Sequence, residues 1–257
     1  MGKADLHIHT AYSNDGTATV AAVLEHVVQH TDLDVIAITD HDEIEGALEA
    51  VALAPHYGIE VIPGSEVSTA EGHLLALYIT ERVPPRLSLI DTIEYVADLG
   101  GICVAAHPGG RWEWSLQAHH LWRALAQPSL AETLVGLEAY NASLPNLRVN
   151  QRAALMQRAM GLAHVSCSDA HLLWMIGLAA TCFPGQGAQA LRKALVERTT
   201  TPHIAPRPAH FFASYGWRQL LRTFGYVQSA SKAPGSSITL RPLATARRYS
   251  PLHQASM

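Results

Sequence analysis

Residues 34–39 read Asp-Val-Ile-Ala-Ile-Thr. A continuous apolar, β-branched run without polar alternation marks a strand covered on both faces, so it belongs inside a sheet flanked by helices. The run breaks abruptly into Asp40-His41-Asp42. The same pattern recurs along the chain: a short apolar run, a cluster of His, Asp or Glu at its end, then a helical stretch. Strands are expected at residues 4–10, 34–39, 59–63, 73–79, 102–106, 135–140 and 164–167. Helices are expected at residues 19–30, from Asp42 through about residue 54, at 89–99 (closed by Gly100-Gly101), around 117–126, at 150–160 and at 187–198. This alternation predicts an α/β fold with a parallel sheet and right-handed crossovers. Polar clusters at the C-terminal ends of strands are where α/β barrels place their active sites. A closed or nearly closed barrel lets all seven strands address one centre, whereas an open doubly wound sheet leaves its outer strands too far apart.

The strand-end residues have one chemistry in common. In Asp5-Leu6-His7-Ile8-His9, residues two apart point to one face of a strand, so His7 and His9 converge. The full set is His7, His9, Asp15, His41, Glu66, His73, His107, Asp169 and His171. Six imidazoles and three carboxylates exceed what one metal ion needs; two or three divalent ions fit. An imidazole-rich set suits zinc, iron or manganese better than magnesium. No G-x-G-x-x-G or G-x-x-x-x-G-K-[ST] occurs at a strand–helix turn, so a nucleotide-cofactor loop is not supported.

The rest of the composition narrows the setting. The chain has 257 residues, 48% of them hydrophobic, enough for one large domain. No apolar stretch approaches membrane-spanning length, and no leader-like apolar region precedes the first histidines. Cys103, Cys167 and Cys182 lie scattered in apolar runs, which predicts buried thiols in a reducing cytoplasm. The net charge of −4 hides an asymmetry: residues 205–257 hold seven Lys or Arg and no acid, leaving 11 basic against 22 acidic residues in the first 204. Domain boundaries follow: a barrel over 1–204, an amphipathic segment over 205–227, and a flexible basic tail over 228–257.

Five motifs carry a family resemblance. Asp5-Leu6-His7-Ile8-His9-Thr10, Thr39-Asp40-His41-Asp42, Pro63-Gly64-Ser65-Glu66-Val67-Ser68, Ala106-His107-Pro108-Gly109-Gly110 and Ser168-Asp169-Ala170-His171 resemble, in order, the motifs of the PHP (polymerase and histidinol phosphatase) family over residues 3–200. The resemblance implies a distorted (β/α)7 barrel with a trinuclear metal centre that hydrolyses phosphate esters. It implies His7, His9, Glu66 and Asp169 around a first metal, Glu66, His73 and His107 around a second, and Asp15, His41 and His171 around a third. Asp15 departs from the family's usual spacing, because Ser13-Asn14-Asp15-Gly16 is one residue longer than Ser-Asp-Gly. Asp5, Asp40 and Asp42 are expected to orient imidazoles, with Asp42 alternatively capping the next helix.

The expected activity is hydrolysis of a small phosphorylated substrate, a nucleotide or oligonucleotide among the options. A phosphomonoester comes first and a phosphodiester, as in a 3′–5′ exonuclease, second. A catalytically idle metal-binding module is the rival class. Glu66, Asp169 and His171 are the expected catalytic groups, with Asp169 or His171 protonating the leaving group. Arg111 is expected to grip phosphate, and Asn141 either to hydrogen-bond substrate or to brace its loop. Relatives acting on nucleoside bisphosphates or oligonucleotides carry a long helical insertion after the fourth strand. Only residues 80–101 stand there in this chain, which weakens transfer of their substrates.

Overall fold

A computed structural model describes residues 1–110, 114–144 and 147–207. Nine strands form one sheet: β1 (Gly2–Asp5), β2 (Val35–Ile38), β3 (Glu60–Ser68), β4 (His73–Leu77), β5 (Ile102–Ala105), β6 (Leu134–Asn141), β7 (Ala163–Cys167), β8 (Ala179–Phe183) and β9 (Thr201–Ile204). Their order is β7-β6-β5-β4-β3-β2-β1-β8-β9. Seven helices accompany them among the described residues: α1 (Val20–His30), α2 (Glu45–Tyr57), α3 (Leu89–Asp98), α4 (Ala118–Leu125), α5 (Pro128–Thr133), α6 (Leu147–Met160) and α7 (Gly187–Val196). None is long and apolar enough to cross a membrane.

Local chemistry sets the elements. In α1 the buried residues Val20, Val23, Leu24 and Val27 form one stripe, and the Thr19 side chain accepts from Ala22 N at the N-terminus. Ser88 caps α3 in the same way through Asp91 N. Gly58, at φ 72°, ends α2 in the left-handed conformation that glycine adopts without strain. All four residues of β2 are buried, as the Asp34–Thr39 run requires. Successive strand residues serve two cores. Ile36 and Ile38 pack outward with residues of α1 to α6, such as Leu24, Ala50, Ile93, Leu121, Leu130 and Ala153. Val35 and Ala37 join Leu6, Leu75, Val104, Val165 and Phe183, and α7 packs onto this inner set through Leu191, Ala194 and Leu195.

The sheet curls until its halves meet. Thr181 Oγ1 in β8 accepts from Ser166 N of β7 and donates to Ser166 O, both at 3.0 Å. Beyond the ends of β1 and β7 the chains pair again, with His9 N donating to Ala170 O at 2.9 Å and Ala170 N to His7 O at 3.2 Å. The result is the expected nearly closed α/β barrel.

The sheet is mixed, however, not parallel. β4 runs antiparallel to both β3 and β5, because residues 69–72 are too few for the crossover that a parallel partner needs. Gly72 makes this turn possible: a Cβ there would meet Leu116 N at 2.4 Å. Reversal of β4 places its first residue, His73, at the same rim as the last residues of β3 and β5. β8 and β9 were not expected; both are short, and β8 runs antiparallel to β1 and β9. β9 brings the chain back to the rim, where Arg207 donates to Leu144 O at 2.8 Å. The expected segments 205–227 and 228–257 lie, from residue 208 on, outside the described residues.

The Thr181 link predicts the effect of Thr181→Val, which keeps shape and removes the hydroxyl. Ser166 N–H and C=O, both buried, lose their partner, at a cost of about 1–3 kcal/mol. Urea unfolding should show this loss; unchanged stability would contradict closure through this contact.

Candidate metal centre

Glu66 sits in the middle of the rim on β3 and is 1% exposed. Its backbone is fixed by pairing beyond β2, with Glu66 N donating to Asp40 O and Asp42 N to Glu66 O. Five imidazoles surround its carboxylate. Oε2 lies 3.1 Å from His7 Nε2, 3.4 Å from His9 Nε2 and 3.1 Å from His41 Nδ1. Oε1 lies 2.9 Å from His73 Nδ1 and 2.9 Å from His107 Nε2.

Asp169 Oδ1 faces His9 Nε2 at 3.2 Å, and His7 Nε2 and His171 Nδ1 at 3.5 Å. Asp15 Oδ2 stands 3.1 Å from His171 Nε2 and 3.3 Å from His41 Nε2. The longer Ser13-Asn14-Asp15-Gly16 loop therefore still delivers its carboxylate. All nine expected residues come together.

Three overlapping groups have ligand atoms close enough to share an ion: His7, His9 and Glu66; His41, Glu66 and His73; and His9, Asp15, His41 and His171. They differ from the expected grouping in four ways: His9 also joins the Asp15 group, His41 also joins Glu66 and His73, and Asp169 and His107, expected with the first and second metals, fall in none of the three.

Ring orientation follows from hydrogen bonds behind the site. Ser13 Oγ donates to Asp40 Oδ1 at 2.7 Å, so toward His9 Nδ1, 3.0 Å away, it can only accept. His9 then carries its proton on Nδ1 and turns a bare Nε2 inward. His171 Nδ1 likewise lies 3.0 Å from Asp169 O. His7 Nδ1 lies 2.8 Å from Glu138 Oε1.

Glu138 was missed in the sequence because it interrupts the apolar run Leu134-Val135-Gly136-Leu137, where a strand core was expected. The signal was present: a charged residue inside a buried strand is rarely there without partners. Ser13 and Ser143, which donates to Asp169 Oδ2 at 2.7 Å, gave no comparable signal.

The remaining expectations resolve as follows. Asn141 is a brace: its Nδ2 donates to Glu138 and Asp169, and its Oδ1 accepts from Ser143 N, so its side chain is committed within the protein. Asp40 acts on His9 only through Ser13. Asp5 holds Ser168 N and Gly177 N, not an imidazole. Asp42 accepts from Ser68 N, and Ile44, the N-cap of α2, makes no side-chain cap, so Asp42 neither orients a ring nor caps. Arg111 lies outside the described residues.

The donor set fits divalent metal. His7 Nε2, His9 Nε2, His73 Nδ1 and Asp15 Oδ1 are buried without a hydrogen bond. Acceptor atoms facing acceptor atoms at these distances need a cation between them. In the metal-free chain protons serve instead. Burial alone would raise the Glu66 carboxyl, but His41, His7, His73 and His107 hold it well below its ordinary value. Asp169 is held low in the same way by His7, His9 and His171. Burial pushes His7 down, yet Asp169, Glu66 and Glu138 lift it well above the usual imidazole range. His41 rises to about 9 against burial through Glu66 and Asp15. His9 falls to about 4, from burial and the neighbouring His171.

Residues 5–171 match the PHP domain model, and residues 148–200 the PHP-associated model. The chain belongs to the PHP domain family. Among its relatives, the uncharacterized protein MJ1587 of Methanocaldococcus jannaschii is 35% identical over 150 residues, covering 54% of this chain and 82% of that protein. The 3′,5′-nucleoside bisphosphate phosphatase of Chromobacterium violaceum is 35% identical over 88 residues, so the chain spans only 30% of that enzyme's length, and 33% of this chain is matched. A two-domain Bacteroides vulgatus protein, described as containing a predicted PHP-like metal-dependent phosphoesterase, shares the fold at TM-score 0.64 and 21% identity, over 79% of this chain and 64% of that one.

The raised His41 sets a pH dependence for the metal-free protein. A folded-state pKa near 9 against 6.5 unfolded means stabilisation that is complete below about pH 6.5 and is lost as pH rises toward 9. His107 and His171, also raised, act in the same direction. The melting temperature of chelator-treated protein should fall between pH 6.5 and 9, and fall less in His41→Gln. A flat or rising profile in the wild type would contradict this electrostatic picture.

Proposed function

We propose that this chain is a metal-dependent phosphoesterase acting on a phosphomonoester. The observation that carries the reading is the buried Glu66 carboxylate with imidazoles on both oxygens, bordered by the partly exposed side chains of His41, His73 and Asp15. The inner residues His7 and Glu66 are buried, while the side chains of Asp15 and His41 are 23% and 26% exposed. A terminal phosphoryl group can enter at that rim, whereas an internal diester must seat chain on both sides. Similarity to the Chromobacterium violaceum phosphatase, to an Eggerthella lenta diphosphodiesterase and to a Haemophilus influenzae exoribonuclease supports phosphoester hydrolysis and does not choose between mono- and diesters.

We assign His7, His9, Glu66 and Asp169, then Glu66, His41, His73 and His107, then His9, Asp15, His41 and His171, to hold two or three divalent ions. Zinc, manganese and iron suit the imidazole-rich set. Such ions, when bound, supply Lewis-acid charge and lower the pKa of water into the neutral range. Glu66 and Asp169, held ionised, act as charge that gathers the cations. Their low protonation speaks against Asp169 as donor to the leaving group. His171, with Nδ1 on Asp169 O and Nε2 on Asp15, is better suited to holding than to donating. Ser13 and Asp40 keep His9 in register. Arg111, next in sequence after His107-Pro108-Gly109-Gly110, is proposed to grip the phosphate bidentately. Free thiols at Cys103, Cys167 and Cys182 support a cytoplasmic setting.

The test is metal content of purified protein together with phosphate release from a panel of mono- and diesters, wild type beside Glu66→Ala. About two or three ions per chain, turnover on monoesters and at least ~100-fold loss in the variant are expected. Turnover confined to diesters would move the assignment to a phosphodiesterase. Bound metal with no turnover on any ester would make the chain a binding module.

A further inference from the structure

We propose that Glu138 is the positioning residue that fixes His7 as its Nδ1–H tautomer, leaving Nε2 bare toward the centre. The inference deepens the metal-centre reading but does not depend on which ester is cleaved. Glu138 lies within β6 and is completely buried. Its Oε1 is 2.8 Å from His7 Nδ1. Its Oε2 accepts from His107 N at 2.7 Å and from Asn141 Nδ2 at 3.0 Å. Asn141 Nδ2 also reaches Asp169 Oδ2 at 3.1 Å.

Glu138 Oε2 already accepts from two N–H donors; with the whole carboxylate acting as acceptor, His7 Nδ1 donates to Oε1. Once a cation displaces the proton that Nε2 carries in the metal-free chain, that nitrogen presents its lone pair to the space between Glu66 Oε2 and Asp169 Oδ1. A carboxylate behind a ligating imidazole also raises that ring's basicity toward a cation. Glu138 performs a second task through the backbone: by holding His107 N it sets where the chain leaves β5 and hence where the His107 ring stands. One buried carboxylate thus positions rings from two strands on opposite sides of Glu66.

Glutamine in its place cannot satisfy this arrangement. With its amide NH2 toward His7, it forces Nδ1 to accept and puts the His7 proton on Nε2, where a metal has to bind. With the NH2 toward His107 N and Asn141 Nδ2, donors face donors. Both rotamers weaken the cation site, although the side chain keeps its size.

The test uses the full chain in two measurements. In zinc-loaded wild type labelled with 15N-histidine, His7 should show its proton on Nδ1 and none on Nε2. By calorimetric titration, Glu138→Gln should bind zinc about 10–100-fold more weakly than wild type, and Glu138→Asp should recover part of the loss. A His7 proton on Nε2 in wild type, unchanged zinc affinity in Glu138→Gln, or no zinc binding by wild type would overturn the proposal. If Glu138→Gln does not fold, the wild-type tautomer decides alone. A chain with the expected tautomer and affinities that cleaves no ester would support this role for Glu138 while refuting the phosphoesterase reading.

Discussion

The fold is subordinate to one electrostatic demand, a buried Glu66 carboxylate with imidazole nitrogens on both oxygens. Removing that many polar groups from water is costly unless a cation compensates. Protons do this in the metal-free chain, which is why the carboxylates are depressed while His7 and His41 are raised. A proton neutralises one nitrogen at a time. A divalent ion satisfies several ligand atoms at once, and the three overlapping groups have the composition for it.

Backbone pairing beyond the regular strands makes the convergence rigid. The Ile8–Ala170 and His41–Glu66 bridges extend the ladder past the core and into the site. They put His7 and His9 beside Asp169 and His171, and His41 beside Glu66. Ligand residues mounted on paired backbone hold their positions better than residues on free loops. The outer polar groups complete the frame: Asp40 through Ser13, Ser143 and Asn141 on Asp169, and Glu138 behind His7. Oriented rings around one buried carboxylate give the chain ligand groups with the composition to hold divalent ions.

Much of this was legible in the sequence, for physical reasons that also explain the gaps. Buried strands announce themselves by continuous β-branched runs, and the polar breaks after them located the rim. The nine residues there, Asp15 included despite its longer loop, meet at one place. The reversal of β4 was legible too, since residues 64–72, between the strands expected at 59–63 and 73–79, are too few for a crossover helix; the alternating pattern masked it. β8 escaped because Ala179–Phe183 continues an apolar stretch without a polar end, and β9 because four residues ending a helix–strand turn carry little pattern. Glu138 escaped because local pattern reports which face a residue occupies, not which distant groups wait there. Asp42 and Asn141 show the same limit: their partners, Ser68 N in one case and Glu138 with Asp169 in the other, are fixed only by tertiary packing.

The most direct measurement is anomalous X-ray diffraction from crystals grown with manganese or zinc, with data collected at the metal edge. Anomalous peaks should lie within bonding distance of the Glu66 carboxylate, about 2.0–2.2 Å for zinc, with His7, His9 or His73 nitrogens in the same coordination shells. Peaks only elsewhere, or none at saturating metal with the ring positions unchanged, would contradict the claim that this cluster is a metal centre.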